Sequence, residues 1–107
     1  MTSIPHRPNV YNVAVPSTNA VAFDVPDNAV SVAVKVRDDG GDDVAWNTDP
    51  ANGSGGAPLA GGYATLTGGE GFETPNIPTN RALLAPRYYF ALVAGGSAAA
   101  TVEVVVS

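Results

Sequence analysis

The sequence predicts an all-β domain: an antiparallel β-sandwich of seven or eight short strands, jelly-roll or immunoglobulin-like, with an extended N-terminal arm. Three observations carry this. Apolar residues alternate with small or polar ones along most of the chain, the period-two pattern of half-buried strands. Turn chemistry recurs throughout, with 12 Gly and 9 Pro among 107 residues, as a sandwich of short strands requires. Only residues 81–85, RALLA, read as helical, and Pro86 limits them to a single turn or a further strand. Apolar content of 45% argues against disorder. A chain of this length forms one domain that buries roughly two-thirds of its unfolded surface.

Taken in order, residues 1–9 contain Pro5 and Pro8, lack periodicity and form the arm. The domain proper is residues 10–107. Tyr11, Val13 and Val15 alternate with Asn12 and Ala14, and Val21, Phe23 and Val25 alternate with Ala22 and Asp24. The intervening Pro16-Ser17-Thr18-Asn19 makes these a first hairpin. Residues 29–37 are the clearest strand, with Val30, Val32, Val34 and Val36 on one side and Ser31, Ala33, Lys35 and Arg37 on the other. Pairing Val36 with Val44 and Val34 with Trp46 continues the apolar face and sets Arg37 opposite Asp43 as a cross-strand ion pair. Residues 47–62 are a long Gly-rich loop, a length that signals either a working loop or a contact with another chain. Residues 63–67 resume a strand, turn at Gly68-Gly69 and return through residues 70–74. At the C-terminus, residues 87–107 read as a hairpin about Gly95-Gly96-Ser97. A three-residue loop with one Gly at positive φ sets Leu92 against Ala100, Phe90 against Val102 and Tyr88 against Val104, leaving Arg87, Tyr89, Ala91, Thr101, Glu103 and Val105 on the water-facing side.

Composition excludes several function classes. With no cysteine there are neither disulfides nor thiolate metal sites. A net charge of −5 disfavours nucleic acid and anionic membranes as partners. The N-terminal MTSIPHRPNVY has no apolar signal core, so synthesis in a cytoplasm, with release if any by a route other than secretion, is expected. His6, the one histidine, lies in the arm away from any predicted nucleophile, which leaves no triad to assemble. No cofactor and no enzymatic activity are expected. Gly68-Gly69-Glu70-Gly71 and residues 53–56 do not lead a strand into a helix with a lysine, so they are turns rather than phosphate cradles.

Two constellations remain. Asp38, Asp39, Asp42 and Asp43 supply four carboxylates within six residues, a weak calcium candidate. Their spacing matches neither an EF-hand nor a Gly/Asp nonapeptide repeat, and a solvated loop that discourages edge pairing is the simpler reading. Trp46, Tyr63, Phe72, Tyr88 and Tyr89 are the aromatics from which a sugar-stacking platform would be built. Trp46 and Tyr88 fall at inward positions, so core packing is favoured, with Tyr89 the main outward aromatic.

From residue 27 onward the order of features resembles the small β-sandwich virion proteins of tailed bacteriophages. A Val-rich strand and polar loop lead to an aromatic strand ending in Asn47-Thr48-Asp49-Pro50. A Gly-rich loop, a Glu-bearing strand at residues 70–73, the Pro-bounded Ile77-Pro78 and a Val-alternating terminus follow. The resemblance is to capsid decoration (cement) proteins and related head or tail surface proteins. It implies a structural role on the outer capsid surface: a protein that binds an assembled head and bridges capsomers. The partners implied are the major capsid protein and neighbouring copies of the chain, in a family that includes both trimers and monomers. The expected contact residues are Ile4, His6 and Arg7 of the arm, then Trp46, Asn47, Asp49 and Pro50 with the loop of residues 51–60. A carbohydrate-binding sandwich is the rival reading, and a neck or tail accessory protein the third.

Overall fold

The computed structural model describes residues 9–27, 29, 31–73 and 86–107. They form eight strands: β1 (Asn9–Val15), β2 (Val21–Asp24), β3 (Val32–Val36), β4 (Val44–Asn47), β5 (Ala64–Leu66), β6 (Gly71–Glu73), β7 (Arg87–Leu92) and β8 (Ala100–Val106). A 3₁₀ turn, Pro50–Asn52, lies in the loop between β4 and β5. The strands build two four-stranded antiparallel sheets, in the orders β1-β8-β3-β6 and β2-β7-β4-β5. The expected β-sandwich is therefore what the chain forms.

The pairing is nested. β1 pairs with β8, β2 with β7, β3 with β6 and β4 with β5. The chain is thus one long double-stranded ribbon, with its bend at the β4–β5 loop, wrapped so that successive lengths fall in opposite sheets. That connectivity is a jelly roll. It places Asn9 directly beside Val106.

The valines explain where the core sits. On β3, Val32, Val34 and Val36 face inward; on β8, Val102, Val104 and Val106 do the same, while Thr101, Glu103 and Val105 lie on the other face. Val15, Phe23, Val44, Phe90 and Leu92 meet them from the remaining strands. Aromatic rings bridge the two sheets at both sides. Trp46 of β4 stacks on Phe72 of β6 with centroids 4.3 Å apart, and Tyr11 of β1 stands edge-on to Phe23 of β2 at 5.1 Å.

Val15, Phe23, Val32, Val34, Val36, Val44, Phe90, Leu92, Val102 and Val104 are inside as expected, whereas Tyr11 is partly exposed and Val30 lies outside the described residues. Four expected strand pairings are not made, that of β5 with β6 among them. β1 and β2, β3 and β4, and β7 and β8 lie in opposite sheets. Val36 pairs with Val102 and Val44 with Leu92, so the short connections cross the sandwich instead of closing hairpins. At the β7–β8 crossing, Gly95 does adopt positive φ (83°), within a turn closed by the Gly96 N–H on the Val93 carbonyl at 2.8 Å. The Gly68-Gly69 turn forms as well, with the Glu70 N–H on the Thr67 carbonyl, yet β5 and β6 belong to different sheets. Arg37 consequently meets Glu103 rather than Asp43, its Nε donating at 2.9 Å, because β8 and not β4 is its neighbour. The other departure is on β7, where Tyr89 and Ala91 are as buried as Tyr88 and Phe90. The expectations for residues 1–8 and for RALLA lie outside the described residues.

Candidate functional site

The long Gly-rich loop explains why β7 is buried on both faces. It folds back over the outer face of the second sheet and is held by bonds to its own chain. Asn47, at the end of β4, begins the hold: its Nδ2 donates to the carbonyls of Ala60 (2.8 Å) and Gly62 (3.2 Å), and its Oδ1 accepts from Asn52 Nδ2 at 2.7 Å. Asn52 in turn accepts the Ala60 N–H through Oδ1 at 2.7 Å. Asp49 caps the 3₁₀ turn, accepting the Ala51 N–H at 2.9 Å, and Pro50 fills the first position, where no N–H is needed.

Further along, the loop pairs with the start of β2. The Gly56 N–H donates to the Ala20 carbonyl at 2.8 Å, and the Ala20 N–H donates to the Ala57 carbonyl at 2.7 Å. This approach requires glycine at position 55. Its φ is +88°, and a Cβ there would stand 2.9 Å from the Ala20 carbonyl oxygen. Beneath the loop, the Tyr89 hydroxyl donates to the Gly53 carbonyl at 2.8 Å, and Leu59 packs on Ala20, Tyr89 and Ala91. Arg87 ties the same corner, bonding the Gly53 carbonyl and pairing with Asp24. Its bonds to Tyr89 and Asp24 raise the guanidinium pKa further.

Between this loop and the β7–β8 crossing runs an open groove of about 290 Å³. Pro58, Leu59 and Tyr63 of the loop line it together with Val93 and Ala94 of the crossing and Ala45 and Ala91 of the sheet. Tyr63, 53% exposed, stands at its rim. The lining is largely apolar.

The acidic segment is also engaged, at one position. Asp42 Oδ2 accepts the N–H groups of Ser97 and Ala98, both at 2.7 Å, joining the β3–β4 crossing to the β7–β8 crossing. These bonds, Ala98 first, hold its carboxyl below the ordinary aspartate range. The segment is therefore a crossing between the sheets, latched at Asp42, rather than a hairpin loop, and it is solvated as expected at its first three residues. Asp38 and Asp39 are exposed and Asp43 is half-buried. Among the described residues no three His, Cys, Asp or Glu side chains converge on a point that would hold a metal ion.

No protein-family model, curated protein or solved structure matches the chain.

The expected contact residues are dispersed by this geometry. Ile4, His6 and Arg7 lie outside the described residues. Trp46 is turned into the sandwich against Phe72 and Tyr88. Asn47 is buried and Asp49 half-buried, both occupied in holding the loop, while Pro50 is exposed. Tyr89, expected to face water, is covered. Sequence reasoning placed Asn52 only within the loop of residues 51–60, named Tyr63 only among the aromatics of a sugar-stacking platform, and gave Val10 no role. The five-residue spacing of Asn47 and Asn52 about a Pro was the available sign of an internally bonded loop; nothing in the pattern distinguishes Tyr63 from a core aromatic.

Among the described residues no helix is long and apolar enough to cross a membrane.

Proposed function

We propose that this chain is a non-enzymatic structural protein of a virion, a capsid decoration protein that binds the outside of an assembled phage head. The observation supporting this reading is the jelly-roll connectivity, an architecture that recurs in viral coat proteins. The polar side chains agree with it. Asn47, Asn52, Asp42 and Tyr89 hold the chain's own loops, as befits a rigid body whose work is contact. Residues 1–8 lead directly into β1, which lies at the end of its sheet, so the arm bearing His6 and Arg7 joins the domain beside an edge that no other described strand pairs. The shell protein is the partner in this reading, and the arm is the principal contact.

The carbohydrate-binding reading shares the jelly-roll architecture, which also occurs in lectin domains, and adds the half-exposed Tyr63 beside a largely apolar groove. Stacking on a glycan ordinarily uses more than one outward ring, and Tyr89 is covered.

The test mixes the chain with undecorated heads and measures cosedimentation and copy number relative to the shell protein. Saturable binding at a fixed ratio, lost on deleting residues 1–8 while the domain stays folded, is the expected result. Full-strength binding by the truncated chain removes the arm from the mechanism. Binding confined to necks or tails gives the accessory reading, and binding only to glycans, abolished by Tyr63→Ala, gives the lectin-like one.

A further inference from the structure

β1 is unlike the other strands that end a sheet. β2 has four residues and carries Asp24; β5 has three; β6 has three and carries Gly71 and Glu73. Short length, charge and glycine are the usual means of keeping an edge from pairing with another chain. β1 has none of these: its seven residues, NVYNVAV, contain no charge, no Pro and no Gly. Two of the three large hydrophobic residues exposed among the described residues, Val10 (64%) and Tyr11 (37%), stand next to each other on it.

The hydrogen bonds of the sheet fix which backbone groups β1 presents. Ser31 and Ser107 exchange both backbone bonds, at 3.2 and 3.1 Å, and the Arg37 N–H donates to the Thr101 carbonyl at 2.9 Å. Odd-numbered residues of β8 therefore direct their backbone groups toward β3, and even-numbered ones toward β1. The β1 partners of those even residues are Asn9, Tyr11, Val13 and Val15. That leaves Val10, Asn12 and Ala14 with N–H and C=O pointing away from β8, along an edge that no other described strand pairs.

We infer that this edge is a self-pairing surface, on which β1 of a second copy of the chain adds antiparallel across a two-fold axis at Asn12. The outward backbone groups at 10, 12 and 14 are symmetric about 12, so one register satisfies all of them with an identical strand. Val10 then faces Ala14 of the partner subunit, and Asn12 faces its own counterpart. Tyr11 comes beside Val13 of the partner subunit on the core side, where both rows are apolar. The absence of charge on β1 lets two copies of an acidic chain meet there without local repulsion. The product is a continuous eight-stranded sheet across two subunits, an isologous interface. This inference stands independently of the virion reading.

Sedimentation equilibrium of the full chain, from micromolar to about 1 mM, tests it together with two variants. Asn12→Pro removes an N–H that makes no bond to β8, so the domain is expected to fold and to remain monomeric. Val10→Lys with Ala14→Lys places lysine opposite lysine across the axis on the water-facing side, and is expected to weaken dimerisation roughly tenfold or more. A native chain that stays monomeric throughout overturns the proposal. So does a dimer that keeps its native dissociation constant in either folded variant.

Discussion

Asp42 receives two backbone N–H groups that would otherwise be left at the end of the sandwich. Their bonds favour the ionised carboxyl, so its folded pKa lies below the ordinary value of 3.8. A depressed carboxyl contributes stability that is fully present above the unfolded value and is lost as pH falls through the folded one. Asp42→Ala is therefore expected to melt below the native chain at neutral pH. The gap should close as the solution is acidified below 3.8, and thermal melts at stepped pH values read it directly. Phe90 is a different case, with no exposed surface and packing from both sheets. Phe90→Ala should cost about 3–5 kcal/mol in a denaturant titration, since the sandwich can collapse only partly around the missing ring.

At the level of elements, the β4–β5 loop is the part whose role the residues disguised. Its Gly-rich sequence reads as slack chain, yet Asn47 and Asn52 satisfy its backbone from within, and Ala20 gives it an extra rung of pairing. Asn47→Ala strips four bonds that tie the loop to the end of β4, those with Ala60, Gly62, Asp49 and Asn52, an expected loss of about 1–3 kcal/mol. Faster amide hydrogen exchange at Ala20 and Gly56, with the β8 amides unchanged, would place the opening in the loop. The acidic crossing makes the opposite prediction. With Asp42 kept, Asp38→Asn and Asp39→Asn should leave the melting temperature unmoved by millimolar calcium; a calcium-dependent rise in the native chain that these changes abolish would identify a bound ion. The alternation of Val32, Val34 and Val36, or of Val102 and Val104, was legible because burial on one face leaves a period of two whichever strand lies alongside. Pairing was not legible for the same reason. A connection that crosses the sandwich buries the same side chains as a hairpin, so Phe90 and Val102 sit in one core without being neighbours in one sheet.

For the whole molecule, nested pairing means that its most distant residues are its closest partners, Asn9 with Val106 above all. Such ladders close long loops before any contact rewards them, and folding on the slow, millisecond-to-second side of small domains is expected. The contact surface was the least legible part of the candidate site. Periodicity reports what a domain hides from water, so it does not single out exposed apolar residues such as Tyr63 and Val10, and Trp46 and Asn47 were drawn inward by packing and by loop bonds that only the folded chain reveals.

The bend of the ribbon has one more consequence. Cut the chain there, between residues 54 and 55, and β1 to β4 fall in one fragment and β5 to β8 in the other. In both sheets every neighbouring strand then comes from the opposite fragment. Neither piece retains a single native ladder, so each should be unstructured by circular dichroism when alone. Mixed, they are interleaved teeth of one zip and should recover the sheet spectrum together, which would make this small sandwich a split reporter whose halves carry no residual fold of their own.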